Sequence, residues 1–317
     1  MYSRKLGIAE AARSGLTATI AAPRLLAVVW LAGVLLALPI AAMVATAVAS
    51  SVGKSAVGQS LEQGFDMDWH GEFAHQARGL EKSFTPSVLV GGGWLDTLDV
   101  WWSGEIFSLG PEIVAFGILF AFLWILITGG ILAHFNRPGR RFSLGSFLAD
   151  GGRLCLRFLR LALLSAPLYY GLFRLARWLF PWIERITVDK TVERTVLAYN
   201  LAGVAVIVAL LITVKMVFDY AKIAVVVEER RSAILAVLRG FRFVLRRPLR
   251  TYGMVVLFSV LGAVLLLIYT LVAPGTGPAS FAGVTLVFLL GQLFLLARLS
   301  LRLGLLAGEL ALFRDAL

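Results

Sequence analysis

The stretch AILAVLRGFRFVLRRPLRT, residues 233–251, decides the fold because it joins two helices of different character. Large apolar residues recur on one side of its helical wheel and arginines on another, which is typical of a helix lying flat in a membrane interface. Pro248 then suits the first turn of a new helix, where its missing N–H is not needed. The stretch therefore predicts a cationic amphipathic helix followed by a membrane span.

The same pattern occurs near the N-terminus, in IAEAARSGLTATIAAPRLL at residues 8–26. One constant offset superposes Gly15 on Gly240 and brings the two prolines together. A looser copy, SLGSFLADGGRLCLRFLR at residues 143–160, precedes another apolar run but lacks the proline. Self-similarity of this kind predicts an architecture built from repeated units.

Apolar runs of the length that crosses a bilayer, about 20 residues in a helix, follow each copy and alternate with shorter connections. They cover residues 24–50, 111–134, 160–182, 196–219, 251–273 and 281–303. The last run is expected to continue as a helix toward Phe313. The composition agrees, because 59% of the chain is hydrophobic and only 15% is charged, whereas soluble domains carry about 25% charged residues.

The predicted fold class is therefore an all-α polytopic membrane protein with six transmembrane helices in three hairpin modules, each preceded by a cytoplasmic amphipathic helix. The whole chain, residues 1–317, forms one membrane domain. Its modules cover residues 1–134, 135–228 and 229–317, and the first carries an external insertion at 51–110.

The distribution of lysine and arginine predicts the orientation, because cytoplasmic segments of membrane proteins are enriched in both. The segments before the first, third and fifth spans carry clusters of arginine, so these segments and both termini are expected to be cytoplasmic. The insertion at 51–110 holds three basic and eight acidic residues and is expected to face outward. Ala47-Val48-Ala49 resembles a signal-peptidase site, but the apolar run before it is about twice the usual length, which favours a retained span.

Interfacial side chains are predicted on both faces of the membrane. Cations of the amphipathic helices are expected to contact anionic lipid headgroups, and tryptophans of the insertion are expected to lie at headgroup depth on the outer side. The predicted contacts are Arg153, Arg157, Arg160, Arg239, Arg242, Arg246, Trp94, Trp101 and Trp102.

The segment FDYAKIAVVVEERRSAILAVLRGFRFVLRRP, residues 218–248, followed by a new span, resembles a pattern found in a broad group of bacterial six-helix membrane proteins. That group includes the membrane domain of some glycerophosphodiester phosphodiesterases and several uncharacterised families. The resemblance covers the helical frame and implies fold and location only. It implies a location in a bacterial inner membrane, where the outward orientation predicted from the charges would put the insertion on the periplasmic side.

Polar residues inside the predicted spans are candidates for function, because each ionisable group costs about 3 kcal/mol at the bilayer centre. They are Arg174, Arg177, Asn200, Lys215, Asp219 and Arg298. Lys215 and Asp219 are four residues apart, which predicts an ion pair on one helix face. Asn200 is expected to bridge two spans. Pairing and snorkelling account for all of them, so structural roles are favoured over functional ones.

Four potential metal ligands alternate along the insertion: Asp66, Asp68, His70 and Glu72. An extended strand would place them on one face. Read as a calcium loop, the segment matches only its first half, because Ala77 stands where the bidentate glutamate is needed. A solvated acidic loop is favoured, and neither a metal nor another cofactor is expected.

Three functions stay open. The leading hypothesis is a non-enzymatic membrane scaffold or accessory subunit that contacts anionic lipid and partner proteins and does not bind nucleic acid. The second is a transporter of lipids or small amphiphiles, since a repeated architecture with intramembrane cations could line a path between leaflets. The third is a metal-assisted enzyme acting on lipid headgroups, which depends on the acidic insertion alone.

Overall fold

The computed structural model describes residues 6–53, 66–77, 84, 111–137, 139, 141–190, 192–273 and 280–317, and these residues form helices and short connections without strands. The helices are α1 (Ile8–Ile20), α2 (Pro23–Val52), α3 (Met67–Gln76), α4 (Pro111–Phe135), α5 (Leu144–Thr187), α6 (Glu193–Val227), α7 (Ala233–Arg246), α8 (Pro248–Val272) and α9 (Phe281–Arg314). The prediction of an all-α protein is confirmed for the described ranges. The last helix ends at Arg314, as the continuation toward Phe313 predicted.

Five helices in the described part of the chain are long and apolar enough to cross a membrane: α2, α4, α6, α8 and α9. The chain is therefore a helical, multi-pass membrane protein. The remaining predicted span, residues 160–182, lies within α5, which does not belong to this set. Arg174 and Arg177 fall inside that apolar run and lower its hydropathy.

The joints before α2 and α8 have nearly the same backbone conformation. Ala22 has φ −116° and ψ 56°, and Arg247 has φ −138° and ψ 51°. Each is followed by a proline, which excludes the helical conformation for the residue before it and then starts the next helix. The helix starts predicted from the two prolines are confirmed.

The third copy of the pattern behaves differently. Residues 143–158 were expected to form an amphipathic helix of their own before a span, but α5 runs without a break through 44 residues. The physical reason is the missing proline, since nothing at the equivalent joint removes a backbone hydrogen bond. Pro167 and Pro181 lie further along the same helix.

The amphipathic segments pack against spans that are not their direct continuations. Helix α1 packs on α9, α7 packs on α6, and the first part of α5 packs on α4. Helix α9 also contacts α2, α4, α6 and α8, and its buried residues lie in its C-terminal part, from Leu303 to Phe313.

A glycine stands at each of these three helix contacts. A Cβ atom on Gly15 would collide with the Gly304 carbonyl and lie 2.7 Å from the Gly308 nitrogen. A Cβ on Gly240 would collide with the Val217 carbonyl and lie 2.9 Å from the Ala221 nitrogen. On Gly151, it would lie 2.6 Å from the Leu126 carbonyl oxygen. These glycines thus allow the helix backbones to pack in direct contact. Close packing matters in a membrane because lipid provides no hydrophobic driving force for helix association.

Helix α3 lies against the end of α2. Asp66 caps it, because its Oδ1 accepts hydrogen bonds of 3.0 Å from the backbone nitrogens of Asp68 and Trp69. Trp69 and Phe73 are buried, one turn apart, and pack on the last turns of α2. The prediction of a solvated acidic loop for this segment is therefore wrong for residues 67–76, which form a helix.

Candidate functional site

Three charged residues form an ion cluster on two turns of α6. Lys215 Nζ lies 2.8 Å from Asp219 Oδ2, and Lys222 Nζ lies 2.9 Å from Asp219 Oδ1. The aspartate side chain is only 9% exposed, whereas the lysine side chains are 50% and 30% exposed. The spacing of four and three residues places all three on one helix face. One buried carboxylate therefore holds two half-exposed ammonium groups.

The ion cluster lines a cavity of about 200 Å³ between α4, α5 and α6. Its walls are mixed in polarity. The apolar part comes from Trp124, Ile125, Phe158, Leu161, Ala162 and Phe218, and the polar part from Thr128, Ser165, Tyr169, Lys215, Asp219 and Lys222. A concave site with a few convergent polar groups on an apolar wall is the usual form of a small-ligand site.

Helix α9 contributes a further cation next to this cavity. The Arg302 guanidinium lies 4.0 Å from the centre of the Trp124 ring, within the range of a cation–π interaction. Trp124 also lines the cavity. Because Trp124 contacts Arg302 and also lines the cavity, the positive charge of Arg302 lies beside the ion cluster.

Two polar groups in the centre of the bundle have no hydrogen-bond partner within the described residues: the Glu309 carboxylate and the Tyr220 hydroxyl. Glu309 is 0% exposed. An aromatic cluster of Tyr220, Phe243 and Phe313 contributes to this enclosure, with ring centres 4.6 to 6.4 Å apart. The sequence placed Glu309 beyond the last span and gave no signal of its burial.

Replacing Glu309 with methionine is expected to raise the free energy of unfolding by about 2 kcal/mol, because a buried polar group without a partner carries its full desolvation penalty. Methionine has a similar shape and no charge. The measurement is thermal unfolding of the detergent-solubilised protein. The exposed Glu184 serves as the control, since the same change there should shift stability by about 0.5 kcal/mol or less. Destabilisation by Glu309→Met would show that the carboxylate has a favourable partner.

The other intramembrane candidates are dispersed. Asn200 Nδ2 donates to the Val196 carbonyl of its own helix at 3.0 Å, and not to a second span as predicted. Arg177 lies 5.8 Å from the centre of the Phe173 ring. Arg174 and Arg298 are exposed. The structure thus brings Lys215 and Asp219 together and leaves the other four candidates apart from them.

The predicted headgroup contacts differ in their surroundings. Arg153 lies 3.6 Å from Asp150, and Arg239 Nε donates to Glu228 at 2.9 Å. Arg160, Arg242 and Arg246 are exposed and Arg157 is half-buried. Trp94, Trp101 and Trp102 lie outside the described residues.

The four potential metal ligands of the insertion lie on or next to α3. Asp66 is used as the helix cap, and His70 Nε2 is 2.9 Å from the Phe84 carbonyl. Within the described ranges, no three histidine, cysteine, aspartate or glutamate side chains are placed to share a metal ion. The ion cluster with its cavity is therefore the strongest candidate site, and its donors suit an anion. No protein-family model, curated protein or solved structure matches this chain.

Proposed function

We propose that this protein is a non-enzymatic membrane scaffold or accessory subunit that binds anionic lipid and partner proteins. In this proposal the chain crosses a bacterial inner membrane six times in three modules, as in the six-helix group that residues 218–248 resemble. Both termini and the amphipathic helices lie on the cytoplasmic side. The apolar part of α5, residues 160–182, supplies the remaining crossing, since a helix of 44 residues is long enough to span the bilayer.

The observation that carries this proposal is the surface of α7. Ala236, Gly240 and Val244 are buried against the bundle, while the opposite side leaves a large apolar stripe exposed. The stripe consists of Ile234, Leu238, Phe241 and Leu245, which are 47 to 63% exposed. Arg242 and Arg246 lie beside it and are exposed. Such a surface fits the boundary between acyl chains and anionic headgroups.

Features at the opposite ends of the spans support the proposed orientation. Trp178 and Trp182 are exposed near the end of α5, and their rings stack 6.1 Å apart. Exposed tryptophans are enriched at membrane–water boundaries. Helix α3, which carries Asp68 and Glu72, packs on the end of α2 and would lie on this outer side. This arrangement leaves the arginine-bearing helices on the inner side.

Neutralising Arg242 and Arg246 with glutamine is expected to reduce binding of phosphatidylglycerol about thirtyfold, since each of the two cations near an anionic leaflet contributes about 1 kcal/mol. The measurement is the amount of this lipid retained after purification from vesicles of defined composition. The matched control neutralises Arg185 and Arg194, which are exposed and lie outside the three amphipathic segments. Equal lipid loss in both double variants would contradict a specific role for α7.

The subunit part of the proposal requires a partner in the membrane. Purification from native membranes in mild detergent, followed by mass spectrometry of the intact assembly, should give a mass larger than that of the 34.4 kDa chain with its lipids. Changing Leu238 and Phe241 to serine tests whether α7 contributes to the contact. A bare monomer from native membranes would contradict the subunit proposal and leave the lipid result unaffected.

A further inference from the structure

We propose that the cavity between α4, α5 and α6 is a binding site for a phosphate group, held by Lys215 and Lys222. No residue of α7 lines the cavity, so this site is distinct from the lipid contacts proposed above. Its occupant would carry negative charge and fit within about 200 Å³.

The balance of charge at the site favours an anion. Asp219 is the carboxylate between the two lysines, and it accepts one short hydrogen bond from each ammonium. An ammonium group has three N–H donors, so each lysine keeps two for another ligand. The site therefore carries one excess positive charge. Arg302, fixed against the Trp124 wall of the cavity, adds to the positive potential.

The other acidic group of this region does not neutralise that excess through a direct contact. Glu309 is buried on α9, and its two carboxylate oxygens have no hydrogen-bond partner within the described ranges. A structural ion pair across two turns of α6 also needs only one lysine. The second lysine contacts the same carboxylate and lines the same cavity, but the ion pair does not require it. It is therefore suited to bind a ligand that carries two negatively charged oxygens.

Some of the hydroxyl groups that line the cavity already donate their hydrogen bonds within the protein, which limits the donors available to a ligand. Thr128 and Ser165 already donate to the carbonyls of Trp124 and Ala162 in their own helices. The remaining side-chain donors of the lining are the two lysines, the Tyr169 hydroxyl and the indole N–H of Trp124. A phosphate accepts hydrogen bonds through all its charged oxygens, so this set of donors matches it.

The size and polarity of the cavity indicate what the phosphate is attached to. Pockets for drug-sized ligands have volumes of about 300 to 1,000 Å³, so this cavity suits a headgroup fragment. Phe158 and Leu161 give it an apolar wall, on which the carbons next to a lipid phosphate could pack. A phospholipid and free inorganic phosphate share the chemistry that the lysines recognise, and the polarity of the wall favours the phospholipid.

The experiment measures binding of one phosphatidylglycerol molecule to the delipidated full chain by native mass spectrometry, with inorganic phosphate as competitor. Ala162→Leu places added carbons in the cavity and leaves the ion cluster intact. Ala166→Leu makes the same change one turn away on α5, at an exposed residue that does not line the cavity. Lys222→Gln removes one positive charge while Lys215 keeps Asp219 paired.

We expect Lys222→Gln to weaken this binding about tenfold, because it removes a charge-assisted hydrogen bond to the ligand. Ala162→Leu should weaken it by a similar factor, because the added carbons occupy space that the ligand needs, and Ala166→Leu should leave it unchanged. The double variant at Arg242 and Arg246 should also retain this one lipid, which separates the cavity from α7. Displacement by inorganic phosphate would support the phosphate site with the free ion as its ligand. Unchanged affinity in Ala162→Leu, or equal affinity for diacylglycerol, which lacks the phosphate, would overturn the proposal.

Discussion

Removing both lysines of the ion cluster, as Lys215→Met with Lys222→Met, is expected to lower the free energy of unfolding by about 4 kcal/mol. This change leaves the Asp219 carboxylate buried without a counter-charge, which costs about 3 to 5 kcal/mol in proteins. Either single variant should cost much less, because the remaining lysine keeps the aspartate paired at 2.8 or 2.9 Å. Thermal or denaturant unfolding in detergent measures all three variants.

The triple variant that also carries Asp219→Leu is the sharpest control for this prediction. Replacement of a whole buried ion cluster by apolar residues is often neutral or stabilising, so the triple variant should recover most of the stability that the double variant loses. A triple variant no more stable than the double would show that packing of the lysine chains, and not the unpaired charge, explains the loss.

Alanine at Gly151 is expected to destabilise the protein by about 3 kcal/mol, whereas alanine at the adjacent Gly152 is expected to stabilise it by about 1 kcal/mol. A Cβ on Gly151 would lie 2.6 Å from the Leu126 carbonyl oxygen, a backbone atom that cannot turn away. A Cβ on Gly152 meets nothing within 4 Å. The second change only removes the unfavourable helix propensity of glycine.

The pair at Gly151 and Gly152 tests the helix contact under matched conditions, since both changes are identical in chemistry and lie on one helix. Gly15→Ala and Gly240→Ala should resemble Gly151→Ala, because each would bring a Cβ against the backbone of a neighbouring span. Unfolding temperature in detergent is again the measurement. Equal stability of Gly151→Ala and Gly152→Ala would contradict the close packing of α5 on α4.

Local sequence signals predicted the helices and several of their ends. Apolar runs indicated the span helices, and Pro23 and Pro248 indicated where two of them begin, because proline acts on the backbone next to it. The same signals missed α3. Asp66 followed by Trp69 and Phe73, one turn apart, is a cap and apolar stripe of a short helix, but the acidic residues that alternate through the same segment are typical of a solvated loop.

The candidate site was predicted only in part. The spacing of Lys215 and Asp219 indicated their ion pair, since both lie on one helix. The cavity depends on residues such as Trp124 and Phe158 from two other helices, and their proximity to α6 depends on how the helices pack. The burial of Glu309 was not predicted for the same reason, because it arises from contacts between segments far apart in the chain.

The pairing of α1 with α9 has a consequence for biosynthesis. The backbone nitrogen of Leu6 donates to Asp315 at 3.0 Å, although the two residues are 309 positions apart. The two other helix pairs that meet at a glycine, α4 with α5 and α6 with α7, are adjacent along the chain, so each can form during translation. Helix α1 can pack on α9 only after α9 has been translated. A circular permutant that links the two ends and opens the chain between α6 and α7 would reverse this order and make the α1–α9 pair an early, local one.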